Sequence, residues 1–315
     1  MSWHARRQIR FVNVYGLWQY GVLSCKISLT YVSFSENQST KSSTPTKEVS
    51  SPKLETKSIE NGEIPNIIIH YDTDDSARNS LEDQIDYNHP RAIDLAKKDA
   101  RTLWKDIPAV KDSGILEKLT KDQRNKQEAK FEVMYSEASY LTSLNLLKNY
   151  YMKNIKAHVP QVLKQEDYNE LFLNVLDVRK CSEDFLKELN DVWQNDIMLN
   201  GIYEIIKKYS NEDFKIYVRY CRKMLDMQQR LEELMETNEG FKNLLQLLVS
   251  RQESQKLSLN AFLTSPMQRI TKLPLLMKTI LDKSEAGSDE YNKCQKAYEA
   301  ASKVIIVKCN VGEER

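Results

Sequence analysis

The sequence predicts an all-α protein, an elongated bundle of about six long helices that follows a largely disordered N-terminal region. Gly and Pro number only 8 each in 315 residues. That is too few turn formers for an all-β sandwich or barrel, which needs a turn every ~8–12 residues. From residue 90 onward, apolar residues recur at three- and four-residue spacing, the pattern of helices with one buried face.

The charge and cysteine content exclude several classes of function. Lys and Arg number 46 against 45 Asp and Glu, so the chain offers no large basic surface for nucleic acid. The 5 cysteines form no CxxC pair, which indicates free thiols in a reducing compartment. No uncharged apolar run reaches the ~18 residues that a transmembrane helix requires. We therefore expect a cytoplasmic protein without a nucleic-acid partner.

The N-terminal region, residues 1–89, is predicted to be disordered and of low complexity. Residues 35–52 are rich in Ser, Thr and Lys and cannot bury enough apolar surface to offset chain entropy. An acidic linker follows over residues 72–86. It is either a solvated spacer or a regulatory segment in which Tyr71 or Tyr87 is phosphorylated.

The helical part begins with Pro90, since proline is favoured in the first turn of a helix. The pattern predicts a helix over residues 90–104, and its apolar stripe consists of Ile93, Ala96, Ala100 and Leu103. Long helices are then predicted over residues 125–156, 167–189, 192–209, 211–236, 241–252, 257–283 and 288–310. The buried face of the first long helix is predicted to contain Phe131, Met134, Tyr135, Ala138 and Leu141.

Motifs for covalent or metal-assisted catalysis are missing from the sequence. It contains no GxGxxG, GxxxxGK[ST], GxSxG or HExxH motif, and its 4 histidines lack metal-ligand spacing. We therefore expect no cofactor, no metal site and no enzyme with covalent chemistry.

Three segments carry a family resemblance: residues 128–144, residues 171–178 and residues 259–277. In this order and separation they resemble the Dbl-homology (DH) domain of Rho-family guanine nucleotide exchange factors. The third segment contains a Pro-x-Gln-Arg-x-x-Lys motif at residues 266–272. Residues 102–116 and 124–133 are similar to the ephexin subgroup, and residues 266–276 are similar to its SGEF-like branch in particular. The resemblance places a DH domain at residues 111–315.

The resemblance implies a GTPase-binding surface made of Glu132, Lys272, Asn310, Leu275, Gln268 and Glu137. In the family, the glutamate at the position of Glu132 grips switch I of the GTPase, and the basic residue at the position of Lys272 contacts switch II. Asn310 either meets the GTPase or caps the last helix. Gln268 is expected to have a largely structural role, and Glu137 ranks second to Glu132 because it is expected to pair with Arg269.

The resemblance implies a protein that accelerates GDP release from a Rho-family GTPase of the RhoG, RhoA, Rac or Cdc42 class. It would meet the plasma membrane only through the lipidated GTPase. The alternative is a catalytically weak scaffold that binds the GTPase without exchange. A spectrin-like or membrane-curving protein is disfavoured because the sequence contains no internal repeat.

Two departures from the family pattern limit these expectations. Ser265 stands where many members have a lysine that contributes to GTPase selectivity, so selectivity does not carry over. No pleckstrin-homology (PH) or SH3 domain is recognised, which fits either a truncated gene model or a protein without its membrane-reading module.

The segment over residues 90–110 is the expected regulatory element. In ephexin-like proteins a segment before the bundle folds back and blocks it, and a phosphate on Tyr87 would change that docking. The alternative is that Trp104 and Ile107 simply complete the core of the bundle.

Overall fold

The computed structural model describes residues 88–97 and 101–309, with only the helical backbone for residues 306–309. Within these ranges the chain is all-α and has no strand, which confirms the predicted fold class. The N-terminal region that we predicted to be disordered lies outside the described residues. Among the described helices, none is both long enough and apolar enough to cross a membrane.

The bundle has short elements followed by long ones. The short elements are α1 (Ala92–Ala96), a 3₁₀ turn (Trp104–Asp106), α2 (Pro108–Asp112) and α3 (Ile115–Lys118). The following helices are α4 (Lys121–Leu146), α5 (Lys153–Ala157), α6 (Gln165–Phe172), α7 (Val175–Asn195), α8 (Ile202–Asn211), α9 (Lys215–Thr237), α10 (Glu239–Ser250), α11 (Leu259–Leu281) and α12 (Asp289–Cys309).

Helix α4 is the first long helix of the sequence prediction, and it begins four residues earlier than expected. Thr120 caps its N-terminus by accepting a hydrogen bond from the Gln123 backbone, and the Gln123 side chain returns the contact. This capping box satisfies two backbone N–H groups that a helix start leaves free. A π-helical turn, Leu147–Met152, joins α4 to α5, so the chain stays helical over the predicted 125–156.

The predicted buried face of α4 is confirmed. Phe131, Met134, Ala138 and Leu141 are buried, and Tyr135 is half-buried. This face packs against α7 and α11, while α1 also contacts α4. Helix α12 in turn packs against α8 and α11. α4 and α11 thereby form the centre of the bundle.

Two predicted helix boundaries were wrong. The predicted helix over residues 167–189 is interrupted between α6 and α7, where Leu173 adopts a positive φ of 34°. The predicted helix over residues 192–209 is also wrong, because α7 continues to Asn195 and a loop precedes α8. Leu199 in that loop has a φ of 55°. Leucine rarely adopts this region, so neither residue signals a break in the sequence.

The predicted helix over residues 90–104 is much shorter in the structure. Among the described residues of this range, helical structure is confined to α1 and to Trp104, where the 3₁₀ turn begins, and residues 101–103 have no regular structure. The buried residues of α1 are Ala92 and Leu95 rather than the predicted stripe, in which Ile93 and Ala96 are half-buried. Contacts with the bundle therefore decide the face that α1 buries.

An ion cluster links three helices of the bundle. The Lys130 side chain of α4 is fully buried, and its Nζ lies 2.5 Å from the Glu290 carboxylate of α12. Lys126 contacts the same carboxylate at 2.6 Å, and the Tyr203 hydroxyl donates to it at 2.9 Å. Burial opposes ionisation of Glu290, but these hydrogen bonds outweigh it and lower its pKa to about 2. The cluster thus joins α4, α8 and α12.

We expect Glu290→Gln to destabilise the bundle by about 3 kcal/mol at pH 7, since it leaves the Lys130 ammonium buried without a counter-charge. The folded pKa lies below the unfolded value of about 4.3. The stabilisation by Glu290 is therefore fully present above about pH 4.3 and is lost as the pH falls towards 2.

Urea unfolding at pH 7, 4 and 3 measures this effect. The stability difference between wild type and Glu290→Gln should shrink as the pH falls. Glu299→Gln, at an exposed position of the same helix, is the matched control and should change little at any pH. A difference that stays constant from pH 7 to pH 3 would contradict the assignment.

Candidate functional site

Glu132 and Lys272, the two leading candidates from the sequence, lie next to each other in the structure. Glu132 projects from α4 and Lys272 from α11, and the Lys272 ammonium donates to Glu132 Oε1 at 3.2 Å. The Glu132 side chain is 18% exposed and the Lys272 side chain 45% exposed. An exposed pair of this kind contributes only about 0–1 kcal/mol, so both groups can change partners easily.

Leu275 and Gln268 extend the same side of α11. Both are exposed, and Leu275 has 67% of its surface accessible. The Gln268 side chain contacts Thr264 of its own helix at 3.5 Å, and its largely structural role stays a prediction. One helical turn separates Lys272 from Leu275, so an ammonium and an apolar side chain stand side by side. The surface around Glu132 therefore offers a carboxylate, a cation and an apolar contact to a partner.

Glu137 occupies a different environment from Glu132. Its residue is 1% exposed, and Arg269 donates to its Oε2 at 2.6 Å. The pairing that the sequence analysis expected for Glu137 and Arg269 is therefore present. Ser182 of α7 donates to the other oxygen, and Arg269 also donates to the Val133 carbonyl at 3.3 Å. Because Glu137 is buried, we place it among the residues that position the site rather than those that touch a partner.

The structure adds Arg101, which the sequence analysis did not select. Its guanidinium donates to Glu132 Oε2 at 2.7 Å, so both oxygens of this carboxylate are occupied. The sequence did contain an indication of this contact, because Arg101 is a cation in a segment that we expected to fold back on the bundle. The path of that segment could not be derived, since the residues just before Trp104 have no regular structure.

Both ends of the segment that carries Arg101 are attached to the bundle. Downstream, the Glu128 carboxylate accepts from the Trp104 and Lys105 backbone N–H groups at 2.9 and 3.0 Å. The Trp104 indole is fully buried and donates to the Ile197 carbonyl at 2.8 Å. Trp104 therefore belongs to the same core as the predicted DH domain.

Upstream, the segment is tied to the end of α7. The Trp193 indole donates to the Pro90 carbonyl at 2.9 Å, and the Asn190 side chain accepts from the Ala92 backbone at 3.2 Å. Gln194 makes two hydrogen bonds with the backbone of His89, both at 2.9 Å. Arg101 therefore lies in sequence between two points at which the chain is attached to the bundle.

Three other candidates from the sequence lie outside the described residues. Asn310, Tyr71 and Tyr87 therefore remain predictions, the first as a GTPase contact or helix cap and the others as phosphorylation sites. The described site consists of Glu132, Lys272, Leu275 and Gln268, with Arg101 added by the structure.

The sequence matches known protein families and curated proteins. The sequence model of the RhoGEF domain matches residues 129–310, more than half of the chain. Human Rho guanine nucleotide exchange factor 26 is 37% identical over 223 residues, which are 71% of this chain and 25% of that protein. Rat ephexin-1 is 33% identical and covers 67% of this chain, with 30% of its own length matched. The chain thus spans about a quarter to a third of these relatives.

Solved structures show the same fold. The DH/PH fragment of PDZRHOGEF, crystallised with human RhoA, superposes with a TM-score of 0.60 at 19% identity and covers 66% of this chain and 59% of its own. The DH/PH domains of p115-RhoGEF give a TM-score of 0.57 at 20% identity and cover 68% of this chain and 58% of theirs. The ephexin-like resemblance read from the sequence agrees with the curated relatives. The RhoGEF domain model matches more than half of the chain, and the relatives above are at least 33% identical over about two thirds of it. We conclude that the chain belongs to the RhoGEF (DH) domain family.

Proposed function

We propose that this protein is a guanine nucleotide exchange factor that accelerates GDP release from a Rho-family small GTPase. The observation that carries the proposal is the surface on which Glu132 of α4 pairs with Lys272 of α11, with the exposed Leu275 one turn beyond Lys272. It coincides with the residues that the DH resemblance implies. The relatives' names and the presence of RhoA in the PDZRHOGEF crystal support a partner of the RhoG, RhoA, Rac or Cdc42 class.

In the proposed mechanism, exchange needs no covalent step. The bundle binds the nucleotide-free GTPase more tightly than the loaded form, and linkage requires that it weaken nucleotide binding by the same factor. Glu132 would hold switch I, while Lys272 and Leu275 would hold switch II. The Arg269–Glu137 pair would keep α11 at a fixed position relative to α4. The protein would act in the cytoplasm and reach the plasma membrane through the lipidated GTPase.

We expect Glu132→Ala to reduce the acceleration of GDP release by roughly 30-fold or more, the lower end of the 2–5 kcal/mol lost when one partner of an interfacial charge pair is removed. The assay is release of fluorescent GDP from a panel of Rho-family GTPases by the full chain. Glu117→Ala, at an exposed position of α3, is the matched control and should match wild type.

The same assay separates exchange from scaffolding. A scaffold would bind the nucleotide-free GTPase without accelerating release from any member of the panel, and a pull-down with nucleotide-depleted GTPases detects this. Acceleration that survives Glu132→Ala undiminished would contradict the proposed site. Binding without acceleration would replace the exchange proposal with the scaffold.

We also propose that residues 88–106 regulate the site, because Arg101 occupies the Glu132 carboxylate. This supports the regulatory role that we predicted for residues 90–110. The burial of Trp104 and Ile107 equally supports their predicted part in the core. The two roles are compatible because different residues perform them. Trp104 is buried in the core, whereas the Arg101 side chain is half-exposed and contacts Glu132. Deletion of residues 1–108 would remove the buried side chains of Trp104 and Ile107 together with Arg101. Because that deletion would disturb the core as well as the contact with Glu132, a point substitution is the sharper test.

We expect Arg101→Ala to raise the rate of GDP release two- to fivefold, because an exposed ion pair of at most about 1 kcal/mol no longer holds Glu132. Lys105→Ala is the control, since Lys105 is an exposed cation of the same segment whose side chain makes no ion pair among the described residues. A rate that is unchanged or lower in Arg101→Ala, with wild-type helical content by circular dichroism, would contradict regulation by this contact.

A further inference from the structure

An open apolar groove lies on a part of the bundle that the proposed exchange reaction does not use. Helices α9 and α10 form a hairpin at Asn238, whose side chain caps α10 by accepting from the Phe241 backbone at 3.0 Å. Between this hairpin and the start of α11 is a cavity of about 590 Å³. Its apolar lining consists of Leu231, Met235, Leu245, Val249 and Leu259.

The groove is separate from the surface around Glu132. Leu259 precedes Lys272 by thirteen residues on α11, about 20 Å at 1.5 Å per residue. The Gln228 side chain of α9 lies 3.4 Å from the Asn260 side chain of α11 and bridges the groove's end. A ligand in the groove would therefore not overlap the Glu132 carboxylate.

The side of α9 that borders the cavity extends beyond it and carries both apolar and polar side chains. Leu225 is 73% exposed, and Gln228, Glu232 and Met235 follow it at three- and four-residue spacing, so they share one side of the helix. From Leu225 to Glu236 this side is about 16 Å long, or roughly three turns. The length of this side and the apolar lining of the neighbouring cavity would fit one face of a helix of about three turns.

The charge on the groove's wall is negative. Glu232 and Glu236 are exposed and line the cavity, and neither forms an ion pair within the part of the chain that the structure describes. The exposed cations of this region lie away from the cavity: Arg222 and Lys223 precede Glu232 on α9 by more than two turns, Arg251 and Lys256 follow α10, and none of the four lines the cavity. Two unpaired carboxylates beside an apolar floor favour a cationic occupant and disfavour an anionic lipid surface.

We propose that this groove binds an amphipathic helix of a partner protein, with its apolar face in the groove and its Lys or Arg side chains against Glu232 and Glu236. Helix-in-groove recognition uses apolar anchors at three- and four-residue spacing. A third helix would cover Met235 and Val249, the two apolar lining residues that the bundle leaves half-buried. Met235 suits this role, since its flexible thioether adapts to side chains of different shape.

The test uses the full chain with ¹³C-labelled methionine methyl groups and a model peptide of about 14 residues, roughly four turns, with Leu on one face and Lys on the other. The Met235 methyl resonance is assigned by its loss in Met235→Leu. We expect it to shift saturably as the peptide is added. The Met134 methyl, which is fully buried elsewhere, should not shift. A Met235 resonance that stays unmoved at excess peptide would overturn the proposal.

Paired charge reversals test the role of the carboxylates. Glu232→Lys with Glu236→Lys should weaken peptide binding about tenfold, because two attractions between exposed charges are lost and repulsion replaces them. Glu117→Lys with Glu285→Lys makes the same change in net charge at exposed positions outside the groove and should alter affinity less than threefold. Equal weakening by both pairs would mean nonspecific attraction and would overturn the proposal.

Two further outcomes distinguish other occupants. A peptide with Gln in place of Lys should bind at least tenfold more weakly, and equal affinity would overturn the assignment of a cationic partner. A shift of the Met235 methyl with protein concentration alone would mean that a second copy of this chain fills the groove. The binding assay contains no GTPase, so its result is independent of the exchange activity.

Discussion

The bundle depends on the buried ion pair between Glu137 of α4 and Arg269 of α11. Removing either partner would leave an uncompensated buried charge, which costs several kcal/mol, so the two helices are held in one register. Lys272 follows Arg269 by one turn, and Glu132 precedes Glu137 by somewhat more than one turn. The two helices run antiparallel. The buried Glu137–Arg269 pair therefore fixes the distance between Glu132 and Lys272. A slip of one turn, about 5.4 Å, would separate Lys272 from Glu132.

A second constraint is that the bundle's core extends into the segment before it. Trp104 and Ile107 are buried among the same side chains that α4 and α7 contribute, and Trp193 holds Pro90 from the other side. The segment that we propose as regulatory and the core are thus continuous rather than separate modules. A segment anchored in this way can expose or cover Glu132 by moving one side chain, without leaving the bundle.

Much of the fold could be predicted from the sequence because α4 and α11 repeat apolar residues at helical spacing over many turns. The breaks before α7 and α8 could not, since Leu173 and Leu199 adopt positive φ without being glycine. Four residues of the candidate site, Glu132, Lys272, Leu275 and Gln268, could be predicted from the family resemblance and from their position on the helices. Arg101 did not, because its position depends on tertiary anchors at Gln194 and Trp104 that no local pattern encodes.

The two anchors around Arg101 also affect which partners can compete for Glu132. A group tethered by a short segment acts at an effective concentration in the millimolar range. A single hydrogen-bond donor on a dilute partner cannot match that, whatever its charge. A surface that also covers Leu275 and pairs with Lys272 gains enough additional contacts to displace the guanidinium. The tether therefore favours partners that make several contacts together over isolated cations that could pair with the Glu132 carboxylate alone.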